Sequence, residues 1–479
     1  MMNKELEQEI KNSQNLPRSE RRKIELALQK KYKDKSIRIK SGKKFNKKPS
    51  LTRKQKRILM SDKNFLNEII KIIRKYFPQL ERMLSELTDK RHKSYITYNM
   101  RTIIFTKLIA LICGITTMTG INNKFNTEET IKNLSIICKQ SLKEIPDWQT
   151  IQDVIEQLNY EEIDDIRQYI FKALIRSKMF DRFRYNNAIQ LLVDATGLTS
   201  FDYNLNGNCL TKTRDGKTKY YKYVLEAKVV FGSMVISLDS EWIENTDMNN
   251  ENDKQDCEIN AFKRMAPRIK RKYPKLKFIL TGDALYANTS MIGICKKNKW
   301  FYIFNLKKNR LKKVYEEFQD NVNYENEVSI SNYSLSSNIE FKGNLVNAFS
   351  YVETIGDKST TFNYITNLKV KDSNIVDIVQ MGRRRWKIEN EGFNEQKNGT
   401  YNISHLCSRF ENALKIHYLL IQIAHTIRQL FELGSLIYKE VKSFTNKKEV
   451  SQHITTKLTS SSITNLESLD LNFQLRFDD

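Results

Sequence analysis

The sequence predicts an α/β protein, on three observations. Residues 62–180 are patterned for helix, with apolar side chains three and four apart and little Gly or Pro. From residue 185 the pattern changes to short, near-continuous apolar runs: Ala188–Val193, Tyr220–Phe231, Met234–Trp242, Lys277–Leu280 and Trp300–Asn305. Such runs suit strands buried on both faces of a sheet. Helical stretches then separate the later runs, with Lys254–Lys272 between the third and fourth and Thr289–Asn298 between the fourth and fifth. Three meandering strands followed by helix, strand, helix, strand is the order of a ribonuclease-H-like core.

Residues 1–60 form a basic arm, expected to be partly helical and partly disordered. They hold 20 Lys/Arg and 6 Asp/Glu, a net of +14 out of +25, which leaves +11 for the remaining 419 residues. An excess of this size points to a polyanionic partner, nucleic acid or an anionic surface. The arm lacks the apolar face that an interfacial helix needs, so a membrane is the weaker choice. Residues 61–180 are an all-α DNA-binding or accessory domain, in which Pro146-Asp147 caps a helix striped by Trp148, Ile151, Val154, Ile155 and Leu158. Residues 185–322 are the first part of the core, and 323–367, with short alternating segments such as EVSISNYSL, are a β-rich insertion. Residues 368–440 return to the core with two helices, and 441–479, rich in Ser, Thr, Asn and Lys, are expected to be a mobile tail. Six scattered cysteines without a CxxC pair argue against a disulfide scaffold or structural zinc and fit a reducing cytoplasm. No apolar stretch reaches the ~20 residues a membrane span requires.

Three carboxylates stand out. Asp194 ends the first buried strand and Asp283 follows the fourth; an acid at the end of an apolar strand is costly to bury and usually faces a ligand or metal. On the helix expected over Ile375–Lys397, at ~100° per residue, Ile375, Val379, Gly382, Trp386 and Phe393 share the face turned to the sheet. Glu389 lies at the border of that face and Glu391 near the solvent side. Glu389 also stands four residues after Arg385, so a plain structural ion pair is a second reading. Two Asp and a Glu at one sheet edge make an oxygen-only site that suits Mg2+ or Mn2+. In a basic chain the natural chemistry is two-metal phosphoryl transfer. His405 and Cys407 lack partners at metal-ligand spacing and read as structural.

The stretches LLVDATG (191–197), ILTGDALYA (279–287) and RRRWKIENEGFNEQKNG (383–399) resemble the DDE transposases of bacterial insertion sequences. They stand in the expected order, with a long gap before the third, as in the YREK-type members that carry a β-rich insertion there. The resemblance covers roughly residues 185–430, and 95–180 also looks similar. It implies Asp194, Asp283 and Glu389 as catalytic metal ligands for two ions. It makes Arg385 a contact to DNA phosphate, with Arg383, Arg384 and Lys397 as further DNA-binding residues. Two positions depart from the pattern: its Tyr is Gly382 here, and its Lys corresponds to Gln396, with Lys397 one place late. The implied activity is binding of element ends, hydrolysis of one strand to free a 3′-OH, and transfer of that hydroxyl to target DNA, by a homodimer on double-stranded DNA in the cytoplasm, at the nucleoid. A nuclease or resolvase without strand transfer, or a non-catalytic DNA-binding derivative, are the alternatives.

Overall fold

A computed structural model describes residues 4–14, 16, 18–33, 37–39, 64–245, 255–320, 324–328, 331–355, 357–434, 436–444, 446–463 and 466–477. The chain divides into two compact units, Met1–Met60 and Ser61–Asp479. In the first, helices Lys4–Ser13 and Arg18–Lys31 join Ile37 and Ile39 in a small core with Leu6 and Leu28. The disorder expected across the rest of the arm falls on residues outside those described.

In the second unit, helices start where short polar side chains cap them. Asn99, Thr117, Thr127, Asp147 and Asn159 each accept a backbone N–H from the first turn of the helix that follows. Among the described residues the sheet has ten strands: β1 (Ala188–Phe201), β2 (Leu210–Arg214), β3 (Lys217–Phe231), β4 (Met234–Ile243), β5 (Lys277–Gly282), β6 (Phe301–Asn305), β7 (Tyr324–Val328), β8 (Ser331–Phe341), β9 (Asn344–Ile355) and β10 (Lys358–Thr366). Their order is β2-β3-β1-β5-β6-β10-β9-β8-β7, with β4 also on β3. β1 runs antiparallel to β3 and parallel to β5, and β5 runs parallel to β6. This is the ribonuclease-H-like arrangement that the element order predicts. The Glu411–Leu433 helix, buried along most of its length, packs on helices Met100–Ile112 and Tyr160–Arg176 and on β4. One apolar core therefore runs from Phe65 to Phe477 through both the helical region and the sheet.

Several expectations are corrected. β1 does not end at Asp194 but continues to Phe201, because β3 pairs with it as far as Tyr220 and its outer half alternates between buried and half-buried side chains. Within the segment read as a β-rich insertion, β10 pairs with β6 and so extends the main sheet. The tail expected to be mobile holds the helix Lys447–Ser460, which buries Val450, Ile454 and Leu458. The single helix expected over Ile375–Lys397 is an α-helix, Ile375–Arg383, then a turn, then a π-helix, Ile388–Gly399. The break shifts the phase of the wheel. Ile375, Val379, Gly382 and Phe393 are buried as expected, while Trp386 is 55% exposed. Among the described residues no helix is long and apolar enough to cross a membrane.

Candidate active site

The register of β1 and β5 brings two of the expected acids to one level. The last paired row is Leu192 with Thr281, so Asp194, still in β1, and Asp283, just past the end of β5, each stand two residues beyond it. Asp283 turns the chain as it leaves β5: its Oδ1 accepts the Leu285 N–H at 2.8 Å and its carbonyl accepts the Tyr286 N–H at 3.1 Å. That turn tucks the Tyr286 ring under Gly282, where a Cβ would lie 2.7 Å from the ring, so only glycine leaves room. Tyr286 is buried, and its hydroxyl donates to Glu258 Oε2 at 3.3 Å.

Glu258, the first residue of the Glu258–Lys272 helix, is a fourth acid that the sequence reading missed. Its only local signal was an acidic residue opening a helix, which ordinarily means dipole compensation. Here it faces the other acids. Burial pushes the Asp194 carboxyl up to about 7, and the charges of Glu258 and Glu389 push the same way against Arg385. Burial also raises Glu258, helped by the charge of Asp283.

Glu389 comes from the second residue of the π-helix, a backbone form found mostly as short segments at functional sites. Arg385, only 8% exposed, donates to Glu389 Oε1 at 3.1 Å and lies 3.8 Å from Asp194 Oδ2. The ion pair read from the i, i+4 spacing forms, and the same guanidinium reaches the second acid. It also stacks over Trp386, 4.5 Å from the ring centre. Among the described residues, no group of three or more His, Cys, Asp or Glu is drawn close enough to hold a metal ion as it stands.

The other expected DNA-binding residues lie apart from this cluster. Arg383 pairs with Glu353 at 3.0 Å and stacks on Phe362. Arg384 lines a cavity of about 240 Å³ with Arg182, Arg184 and Gln190 near the start of β1. Lys397 is half-buried in the π-helix, and that burial lowers its pKa. The two departures in the third motif have physical counterparts. A Cβ at Gly382 would sit 2.5 Å from the ring of Tyr364 on β10, so a phenol from another strand fills that space. Gln396 is fully buried, donating to Gln422 Oε1 at 2.8 Å and bonding His425 at 2.9 Å, which makes it a core residue. His417 bonds buried Gln152 at 3.2 Å, and burial holds both His417 and His425 well below their usual pKa.

An open sheet edge lined by carboxylates, on strands in this order, defines a ribonuclease-H-like protein. Comparison with known families narrows that class: the family described as Transposase DDE domain matches residues 233–427, and the one described as DDE_Tnp_1-associated matches residues 81–169. Together they span more than half of the chain, which belongs to the DDE-family transposases. Asp283 and Glu389 lie inside the first match and Asp194 lies before it. No curated protein matches the chain.

Proposed function

We propose that this chain is a DNA transposase that cleaves the ends of its insertion sequence and joins the freed 3′-OH to target DNA, with Asp194, Asp283 and Glu389 as its catalytic metal ligands. The observation that carries the reading is that Asp194 and Asp283 each follow by two residues the last paired row of two parallel strands, with Glu389 tied to Asp194 through Arg385. The donor set fits a divalent cation with oxygen ligands. Of the four carboxylates, counting Glu258, Asp194 and Glu389 share one arginine, and Asp194 and Glu258 resist ionisation where they stand. A pair of Mg2+ or Mn2+ ions there would activate the attacking oxygen and stabilise the leaving one. The chain's own part is to present the ligands. Asp194 gives up its proton to become a ligand. Arg385 holds Asp194 and Glu389 facing each other. The half-exposed Glu389 has the freedom to swing. DNA phosphates are the partners of Arg385, and Arg383, Arg384 and Lys397 are the further candidates for backbone contact. Paired cleavage of two ends favours a homodimer on DNA.

The test is cleavage and joining of the flanking inverted repeats in Mg2+. Asp194→Asn and Glu389→Gln should each lose at least about a thousandfold in both steps while still binding the ends; cleavage near the wild-type rate in either would refute the assignment. Pre-cut ends carrying a 3′-OH separate this reading from a nuclease, since only a transposase joins them to a second duplex.

A further inference from the structure

Strand β2 and the first residues of β3 form a two-stranded ribbon that projects beyond the carboxylate edge of the sheet. β1 pairs with β3 only as far as Phe201 opposite Tyr220, and β4 pairs with β3 only from Tyr223 onward. Among the described residues, 212–219 therefore have no further strand on either side. The turn is tight: Asp215 and Gly216 both have positive φ, 48° and 72°, which is the two-residue form that matches strand twist.

The register gives this ribbon an unusual charge pattern. Lys212 stands opposite Lys219, and Arg214 opposite Lys217. Side chains two apart share a face, so four cations crowd one face, while the other pairs Thr213 with Thr218 through a hydroxyl bond of 2.9 Å. All four cations are exposed. The single acid between residues 210 and 221 is Asp215, in the turn. Like charges directly opposite each other destabilise a strand pair. Charge alone guards a free strand edge against aggregation, but alternating signs would do so while also stabilising the pair. Two adjacent like-charged pairs make sense when the compensating charge comes from outside.

We infer that the Leu210–Tyr221 ribbon grips the backbone of duplex DNA flanking the reacting phosphate. This rests on the transposase reading and adds where on the DNA the protein holds. Asp194 is paired with Glu226, and Lys219 and Lys217 lie seven and nine residues further out on β3. At about 3.3 Å per residue the cation face begins roughly 23 Å from the acid row and extends to roughly 30 Å. Along B-DNA that distance corresponds to about seven to nine base pairs. A two-stranded ribbon also fits the width of the B-form major groove, whereas the A-form major groove is too narrow to admit it.

The experiment uses the full chain without divalent ions, so that binding is read apart from cleavage. Two variants replace Lys212, Arg214, Lys217 and Lys219 together, one with Ala and one with Gln, and unchanged thermal melting shows that each folds. On duplex DNA, both variants should lower the slope of log affinity against log salt by about two to four and weaken binding at least about tenfold. The loss should be smaller on double-stranded RNA and smaller on anionic vesicles. An unchanged slope on duplex DNA overturns the inference, as does an equal or larger loss on RNA or vesicles. A wild-type chain that binds duplex with the expected slope but never cleaves would count against the transposase reading and leave the ribbon standing.

Discussion

Asp194 and Glu226 are cross-strand neighbours in one row of the sheet, yet they live in opposite electrostatic conditions. Glu226 is fully buried and fully bonded: its Oε2 accepts from Ser240 and from the Tyr418 hydroxyl, each at 2.7 Å, and its Oε1 accepts from Ser237. Around it, buried Arg167 from the Tyr160–Arg176 helix binds Asp164 and, at 3.2 Å, Asp239, while Arg268 and Lys272 add further positive charge. Burial would raise the Asp164 carboxyl, but Arg167 and Lys272 hold it down at about 2. Across the same row Asp194 shares a single arginine with Glu389 and is held up at about 7. Where cations match anions the carboxylates stay ionised as part of the architecture, and where anions are left in excess, as at Asp194, the carboxyl is held up.

The contrast can be attacked first at its stable side. Arg167→Ala leaves Asp164 and Asp239 buried beside too little positive charge, and should cost about 3–5 kcal/mol in denaturant unfolding; a loss below about 1 kcal/mol would mean that the cluster is not electrostatically matched. The acidic side should respond in the opposite sense. The Asp194 carboxyl ionises less readily in the folded chain than in the unfolded one, so the folded state retains a proton as the pH rises from about 4 to 7, and stability falls across that window. In metal-free buffer Asp194→Asn should therefore be more stable than wild type at pH 8, by about 2–4 kcal/mol, with the advantage fading below about pH 4. A pH-independent difference would remove the argument. The smallest effect belongs to an ion pair outside both clusters: Arg383→Ala breaks the half-exposed contact to Glu353 and should shift stability by less than about 1 kcal/mol.

Much of this was legible in the residues. The strands at Ala188–Val193, Met234–Trp242, Lys277–Leu280 and Trp300–Asn305 announced themselves because burial on both faces demands unbroken apolar runs, and Asp283 was visible as the acid that follows the fourth run of the chain, Lys277–Leu280. Ribbon strand β2 was not legible, because Leu210–Arg214 has no apolar alternation and is specified by pairing with β3 alone. Glu389 was singled out through a helix wheel that does not apply past Arg383, since nothing in IENEGFNEQKNG distinguishes π from α spacing. Glu258 was invisible because its meaning comes from Tyr286 and Asp283, which are distant in sequence and brought to it by the fold. Lys228 and Glu226, in the middle of an apolar run, also owe their burial to partners elsewhere: Gln422 accepts from Lys228 at 2.8 Å, and Tyr418 donates to Glu226.

The Arg167 cluster also bears on how such proteins can be recombined. Residues 81–169 and 233–427 match two separate family descriptions, as if they were parts that could be exchanged. Arg167 and Asp164 lie in the first segment, while Ser237, Asp239, Ser240, Arg268 and Lys272 lie in the second, and each side satisfies charges buried in the other. A chimaera joined between residues 170 and 232 would inherit half of that cluster from each parent. Such a chimaera would keep its buried charges paired only where both parents carried matching acids and bases at this seam.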